Sequence, residues 1–210
     1  MFWPVISALA DDSPGPAVVV VGDSLSAAYG IDVTDGWVNL LRQRLAERGY
    51  PHRVVNASVT GDTTRGGVAR LPTLLDREQP LVVIIELGGN DGLRGITPAA
   101  MTDNLRRMVQ LARDAGAYPF LLGVELPANY GPAFRKLFQD AYYEVANTES
   151  VPLVPSFLEG VAMDPALMQP DGIHPNESAQ PAMLDTVWSR LEPLLHETAG
   201  LRPGMRGSRD

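Results

Sequence analysis

Apolar and polar positions along this chain fall into alternating blocks. Apolar stretches of strand length occur at Ala17 to Val21, Arg53 to Ala57, Leu81 to Leu87 and Phe120 to Val124, with a shorter one at Val151 to Pro155. Their length, and the valine, isoleucine and aromatic content of most of them, predict buried strands. Helical spacing follows. Trp37, Leu40, Leu41 and Leu45 recur at i, i+3, i+4 and i+8, and Met101, Leu105, Met108 and Ala112 at i, i+4, i+7 and i+11. Phe134, Leu137, Phe138, Ala141, Tyr142 and Val145 form a third, wider stripe. A final helix is expected from near Ser178 through Met183, Val187, Leu191 and Leu194, with Pro181 in its first turn. Thr63 to Arg77 has helical character but is interrupted by Gly66, Gly67 and Pro72.

Punctuation fits these elements. Thr97-Pro98 supplies a cap followed by proline at the first helical position, and Gly116 stands where the same helix should stop. Strand and helix alternate without hairpin signals, which predicts an α/β domain: a mostly parallel sheet covered on both faces and joined by right-handed crossovers. In such sheets the ligand site lies beyond the carboxyl ends of the strands, beside the point where strand order reverses.

Composition narrows the classes. A chain of 210 residues, 45% of them hydrophobic, suits one domain with a substantial core. The net charge of −8, with no basic run before the last dozen residues, argues against nucleic acid as a partner. Cysteine is absent, so a nucleophilic enzyme would have to use a hydroxyl. No apolar run reaches the roughly 18–20 residues of a membrane span. MFWPVISALA finishes in Ala8-Leu9-Ala10, an A-x-A pattern of the kind signal peptidase cuts, so residues 1–16 are expected to be a signal-peptide remnant. Residues 17–197 are expected to form the domain, and 198–210, rich in Gly and Arg, a disordered tail or cloning scar.

At the predicted strand ends stand Gly22-Asp23-Ser24-Leu25-Ser26, Ser58-Val59-Thr60-Gly61-Asp62 and Gly88-Gly89-Asn90-Asp91-Gly92, and before the last helix comes Asp171-Gly172-Ile173-His174. Of three histidines, His52 precedes the second strand at the far edge and His196 lies near the end of the last helix. That leaves His174 as the candidate base. Asp171, three residues earlier in a glycine-containing turn, can fix its tautomer and support the imidazolium formed when it takes a proton from Ser24. If the strand order is 2-1-3-4-5, Gly61 and Asn90 flank Ser24, and the Ser24 and Gly61 N–H groups with the Asn90 amide can face a developing oxyanion.

GDSLS, the glycine at 61, GGND at 88–91 and DGIH at 171–174 resemble, in their usual order, the four signature blocks of the SGNH (GDSL) hydrolase family. VVNASVTGDTTRGGVARLP, ELGGNDGLRG, LPANYG and MQPDGIHPN resemble its bacterial thioesterase I, protease I and lysophospholipase subgroup, which includes periplasmic arylesterases. The likeness runs from about Val18 to Leu195. It implies a three-layer α/β/α flavodoxin-like fold with a five-stranded parallel sheet. It also implies a Ser24, His174, Asp171 triad and an oxyanion hole from Ser24, Gly61 and Asn90, with no metal or organic cofactor. Asp23, Leu25, Gly92, Leu93, Arg94 and Ile96 are the expected substrate contacts, the last four on a mobile loop after Asn90. The implied partner is a small acyl ester or thioester, with transient lipid contact, in a periplasmic or secreted monomer or weak oligomer.

Rival readings make different use of the same positions. Ser26 occupies the last place of the GxSxG nucleophile elbow, so that motif is not met. Asp23, Asp91, Asp171 and His174 could instead ligate a divalent cation for phosphoryl hydrolysis. A non-enzymatic domain could hold a phosphate on the N–H groups after Gly22.

Overall fold

The computed structural model describes residues 15–198, so nearly all of the expected tail and of the expected leader lie outside the described residues. The strands are β1 (Ala17–Gly22), β2 (Arg53–Asn56), β3 (Val82–Glu86), β4 (Tyr118–Leu122) and β5 (Leu153–Val154). They form one parallel sheet in the order β2-β1-β3-β4-β5. The helices are α1 (Trp37–Glu47), α2 (Thr64–Glu78), α3 (Gly89–Leu93), α4 (Pro98–Asp114), α5 (Pro132–Thr148) and α6 (Gln180–Thr198).

The four valines of β1 divide by the two-residue period of a strand. Val18 and Val20 enter a core with Trp37, Leu41, Met183 and Leu191 from α1 and α6. Val19 and Val21 enter the opposite core with Leu71, Met108 and Tyr142 from α2, α4 and α5. Both faces are therefore covered, and β1 is buried throughout. β4 begins at Tyr118, two residues before the expected start. Pro119 is admitted because its missing N–H would face β5, which is in register only from Leu121 onward.

Three local departures stand out. α2 is continuous across Gly66, Gly67 and Pro72. A Cβ at Gly67 would lie 2.4 Å from Leu87 Cδ1, so this glycine lets the helix approach the sheet closely. Leu137 is exposed and Phe134 half-buried, while Phe138, Ala141, Tyr142 and Val145 of the same stripe are buried. After β1 the chain coils in turns from Ser24 to Gly30, with Ala28 at φ 59°, and regular helix starts only at Trp37. The expected caps of α4 are present: Thr97 accepts from the Ala100 N–H and Gly116 takes φ 80°. Among the described residues no helix is long and apolar enough to cross a membrane.

Candidate active site

The sheet order places the ends of β2 and β3 on either side of the end of β1. Ser24, two residues beyond β1, meets His174 from the loop before α6: His174 Nε2 lies 2.9 Å from Ser24 Oγ. His174 Nδ1 lies 2.6 Å from Asp171 Oδ2. The other carboxylate oxygen of Asp171 accepts the backbone N–H groups of Ile173 and His174 at 2.9 and 3.0 Å. The His174 backbone bond first, then its ring and the Ile173 N–H, hold the Asp171 carboxyl down at about 2. Asp171 therefore stays ionised across the range in which proteins work. The Tyr29 ring covers the imidazole at 4.5 Å between centroids.

The loops that carry serine and histidine are tied together. Gln169 donates to the Tyr29 carbonyl at 2.8 Å and to the Pro175 carbonyl at 2.9 Å. The Gln180 side chain, at the start of α6, accepts the Trp37 N–H at 3.0 Å and so caps α1. These bonds fix α6 and its preceding loop against the serine-bearing segment.

Gly61 and Asn90 follow β2 and β3, the strands that flank β1. Among the described residues, neither the Ser24 N–H nor the Gly61 N–H is spent on an internal hydrogen bond. Gly61 has φ 78°, a left-handed conformation suited to glycine, and its carbonyl accepts from Arg94 at 2.6 Å. Asn90 stands on α3, and its Nδ2 donates to Asp23 Oδ2 at 2.9 Å, leaving its second amide hydrogen unused by that bond. Asp91 receives the Thr64 N–H at 2.8 Å and Thr64 Oγ1 at 2.5 Å, so α3 is pinned to the start of α2. Gly88, at φ 132°, makes the sharp entry to α3; a Cβ there would lie 2.2 Å from the Tyr142 hydroxyl.

The expected substrate contacts separate into two groups. Asp23 is buried, its pKa raised to about 6 chiefly by that burial, and its carboxyl faces Asn90 and His174. Leu25 is 9% exposed and packs against the core on the α1 and α6 side. Gly92 is buried against Leu126. Leu93 and Arg94 are exposed, and Ile96 is half-buried. The segment expected as a loop from Gly92 begins inside α3, where Gly92 N–H bonds the Gly88 carbonyl at 3.1 Å.

Glu86 is the buried group missed in the sequence. It ends β3, with Oε2 accepting from Ser26 Oγ at 2.8 Å and from the Asp23 N–H at 3.3 Å, while Trp37 Nε1 donates to Ser26 Oγ at 3.2 Å. Burial first, then the neighbouring Asp23 charge, pushes its pKa well above the usual carboxyl range. A single carboxylate inside the apolar run LVVIIEL was the available signal. Among the described residues no three His, Asp or Glu side chains gather into a cluster that could hold a metal ion. Asp91 is engaged by Thr64, Asp23 by Asn90 and Asp171 by His174.

The chain is similar to known proteins over most of its length. Residues 20–180 match the model of the GDSL-like lipase/acylhydrolase family. The chain is 54% identical to the esterase TesA of Pseudomonas aeruginosa over 187 residues, which is 89% of this chain and 93% of that protein. It is 44% identical to thioesterase 1/protease 1/lysophospholipase L1 of Escherichia coli K12, covering 85% of each. The crystal structure of the psychrotrophic esterase EstA from Pseudoalteromonas sp., inhibited by monoethylphosphonate, superimposes with a TM-score of 0.82 at 36% identity. That likeness covers 86% of this chain and 98% of that one.

Proposed function

The chain belongs to the GDSL-like lipase/acylhydrolase family, and from that premise we propose that it is a serine esterase that cleaves carboxylic esters and thioesters through an acyl-enzyme on Ser24. The observation that carries this reading is the unbroken line Ser24 Oγ to His174 Nε2 at 2.9 Å and His174 Nδ1 to Asp171 Oδ2 at 2.6 Å. His174 takes the Ser24 proton as Oγ attacks the acyl carbonyl. Asp171 holds the ring in the tautomer whose Nε2 is free to accept, and stabilises the imidazolium. The Ser24 and Gly61 N–H groups and the Asn90 amide receive the oxyanion, and His174 then protonates the departing alcohol or thiol. Water repeats the cycle and releases the acid.

Substrate class follows from charge and exposure. Tyr29, Val59, Leu93 and Ile173 are exposed apolar side chains on the segments that carry the reacting groups. They suit aryl and short or medium acyl chains, and the acyl chain of a lysophospholipid. The net charge of −8 disfavours a polyanionic acyl-CoA relative to esters of low charge. The Ala8-Leu9-Ala10 pattern supports export to the periplasm or medium.

The test combines labelling with turnover. A serine-directed organophosphonate is expected to modify Ser24, located by mass spectrometry, and p-nitrophenyl butyrate hydrolysis should survive EDTA. Ser24→Ala and His174→Ala should each lose turnover by orders of magnitude while remaining folded. Chelator-sensitive activity that persists in Ser24→Ala would overturn the reading in favour of metal chemistry.

A further inference from the structure

Arg70 lies in α2, and its guanidinium spans three segments that converge beside Ser24. Nε donates to Asp62 Oδ2 at 2.7 Å, Nη2 donates to the Gly22 carbonyl at 3.2 Å, and Nη1 donates to the Ala57 carbonyl. Gly22 is the last residue of β1, two before Ser24. Ala57 follows β2, and Asp62 is the neighbour of Gly61. One planar fork therefore holds the stem of the serine turn, the stem of the glycine turn and the residue beside the Gly61 N–H.

Neighbouring features make the brace possible. A Cβ at Gly66 would lie 1.8 Å from Asp62 Oδ1, so glycine leaves the room this carboxylate occupies over the first turn of α2. The same carboxylate accepts the Thr63 N–H at 2.9 Å, which fixes it independently of the arginine. The Gly22 carbonyl also receives the Val59 N–H at 3.0 Å, so the two turns share one acceptor. The Arg70 side chain is 24% exposed and the Asp62 side chain 12%. Partial burial and a charge-assisted bond favour a single geometry over a mobile surface pair. Lysine, a compact charge without the planar fork, cannot address three acceptors in these directions.

We propose that Arg70 is a positioning residue that sets the separation of the Ser24 and Gly61 backbone N–H groups, and so controls how well they hold the oxyanion. The inference rests on the Ser24 reading above. Because the oxyanion exists only after attack, the effect falls on kcat and leaves ground-state binding of the ester nearly untouched. A displacement of about 1 Å at such donors can cost about 10²-fold in rate, so Arg70→Met should lower kcat by about 10- to 100-fold with KM changed less than about threefold.

The experiment uses the full chain with p-nitrophenyl butyrate, and compares Arg70→Met, Arg70→Lys and Arg70→Ala with wild type and Ser24→Ala, each checked by circular dichroism for folding at the assay temperature. Inhibition by butylboronic acid, which forms a tetrahedral adduct with a serine hydroxyl, reports the oxyanion hole directly. Its Ki should rise in step with the fall in kcat, and ethylguanidinium should restore part of the kcat of Arg70→Ala. A folded Arg70→Met with kcat within about twofold of wild type overturns the proposal, as does lost kcat with unchanged boronate affinity and no rescue. If Arg70→Met does not fold, Arg70→Lys decides: wild-type kcat and boronate affinity in that variant sink the idea. Failure of the Ser24 reading itself shows separately, as activity retained in Ser24→Ala.

Discussion

Glu86 couples stability to pH beneath the nucleophile, and replacing it gives a signed result. Its Oε2 takes the Ser26 hydroxyl at 2.8 Å and the Asp23 N–H at 3.3 Å, while its Oε1 is buried without a hydrogen-bond partner among the described residues. Glu86→Leu strands both donors. Each buried unmade bond costs about 1–3 kcal/mol; the longer Asp23 bond counts at the low end and the Ser26 hydroxyl can rotate, so the expected loss is about 2–3 kcal/mol. Glu86→Gln keeps an oxygen for both donors. It also removes a titration: burial and the Asp23 charge raise the Glu86 pKa well above the usual value. Between the unfolded pKa of about 4.3 and that raised folded value, the native state keeps a proton that the unfolded chain has released. Wild-type stability from this group is therefore complete below about pH 4 and lost as pH rises through the folded pKa. Over that window the stability difference should move toward Glu86→Gln by up to about 1.4 kcal/mol per pH unit. Urea unfolding followed by tryptophan fluorescence at pH 5, 6 and 7 measures it. A gap between wild type and Glu86→Gln that does not change with pH would refute the reasoning, and a Glu86→Leu as stable as wild type would refute the hydrogen-bond ledger.

Two further outcomes follow from the same geometry. Asn90→Ala removes a side-chain donor from the proposed oxyanion hole, and steady-state kinetics should show kcat reduced by about 10²–10³ with KM little changed; an equal loss shared by KM would place Asn90 in substrate binding instead. His52 is buried, both its ring nitrogens lack partners among the described residues, and burial lowers its pKa. Below the unfolded value of about 6.5 the unfolded ring takes up a proton that the native ring refuses, so this site costs stability as pH falls. His52→Leu should narrow the difference in melting temperature between pH 7 and pH 5, and an unchanged difference would contradict the assignment.

The sheet was legible because buried parallel strands are nearly uninterrupted apolar runs, and because the helices between them carry their stripes on one face. Ser24, His174 and Asp171 could be singled out because a chain without cysteine and with three histidines offers few alternatives. What stayed hidden depends on distance in three dimensions. Arg70 reads as an ordinary helix arginine until β1 and β2 bring Gly22 and Ala57 beside it. Leu25 sits next to the serine in sequence, yet it packs against the core on the α1 and α6 side. Gly66 and Gly67 look like helix breakers, yet α2 runs through them, and Asp62 and Leu87 occupy the space a Cβ at each would fill.

In the proposed mechanism an oxyanion forms near Asp23, Asp62, Glu86 and Asp91, and each carboxyl meets a different local environment. Glu86 is buried beside another carboxyl, and both effects raise its pKa and so favour its uncharged form. Asp62 is matched by Arg70 at 2.7 Å. Asp91 accepts the Thr64 N–H at the positive end of α2, where the helix dipole offsets its charge. Asp23 remains, with its pKa at about 6, and its charge interacts favourably with His174. In the proposed mechanism the imidazolium and the oxyanion appear together, so a carboxylate facing the ring stabilises one while opposing the other. The Asn90 amide lies between, with one hydrogen on Asp23 and the other available to the oxyanion. That hydrogen bond holds the amide in one orientation, so what Asp23 contributes in this mechanism is the fixed direction of the second hydrogen.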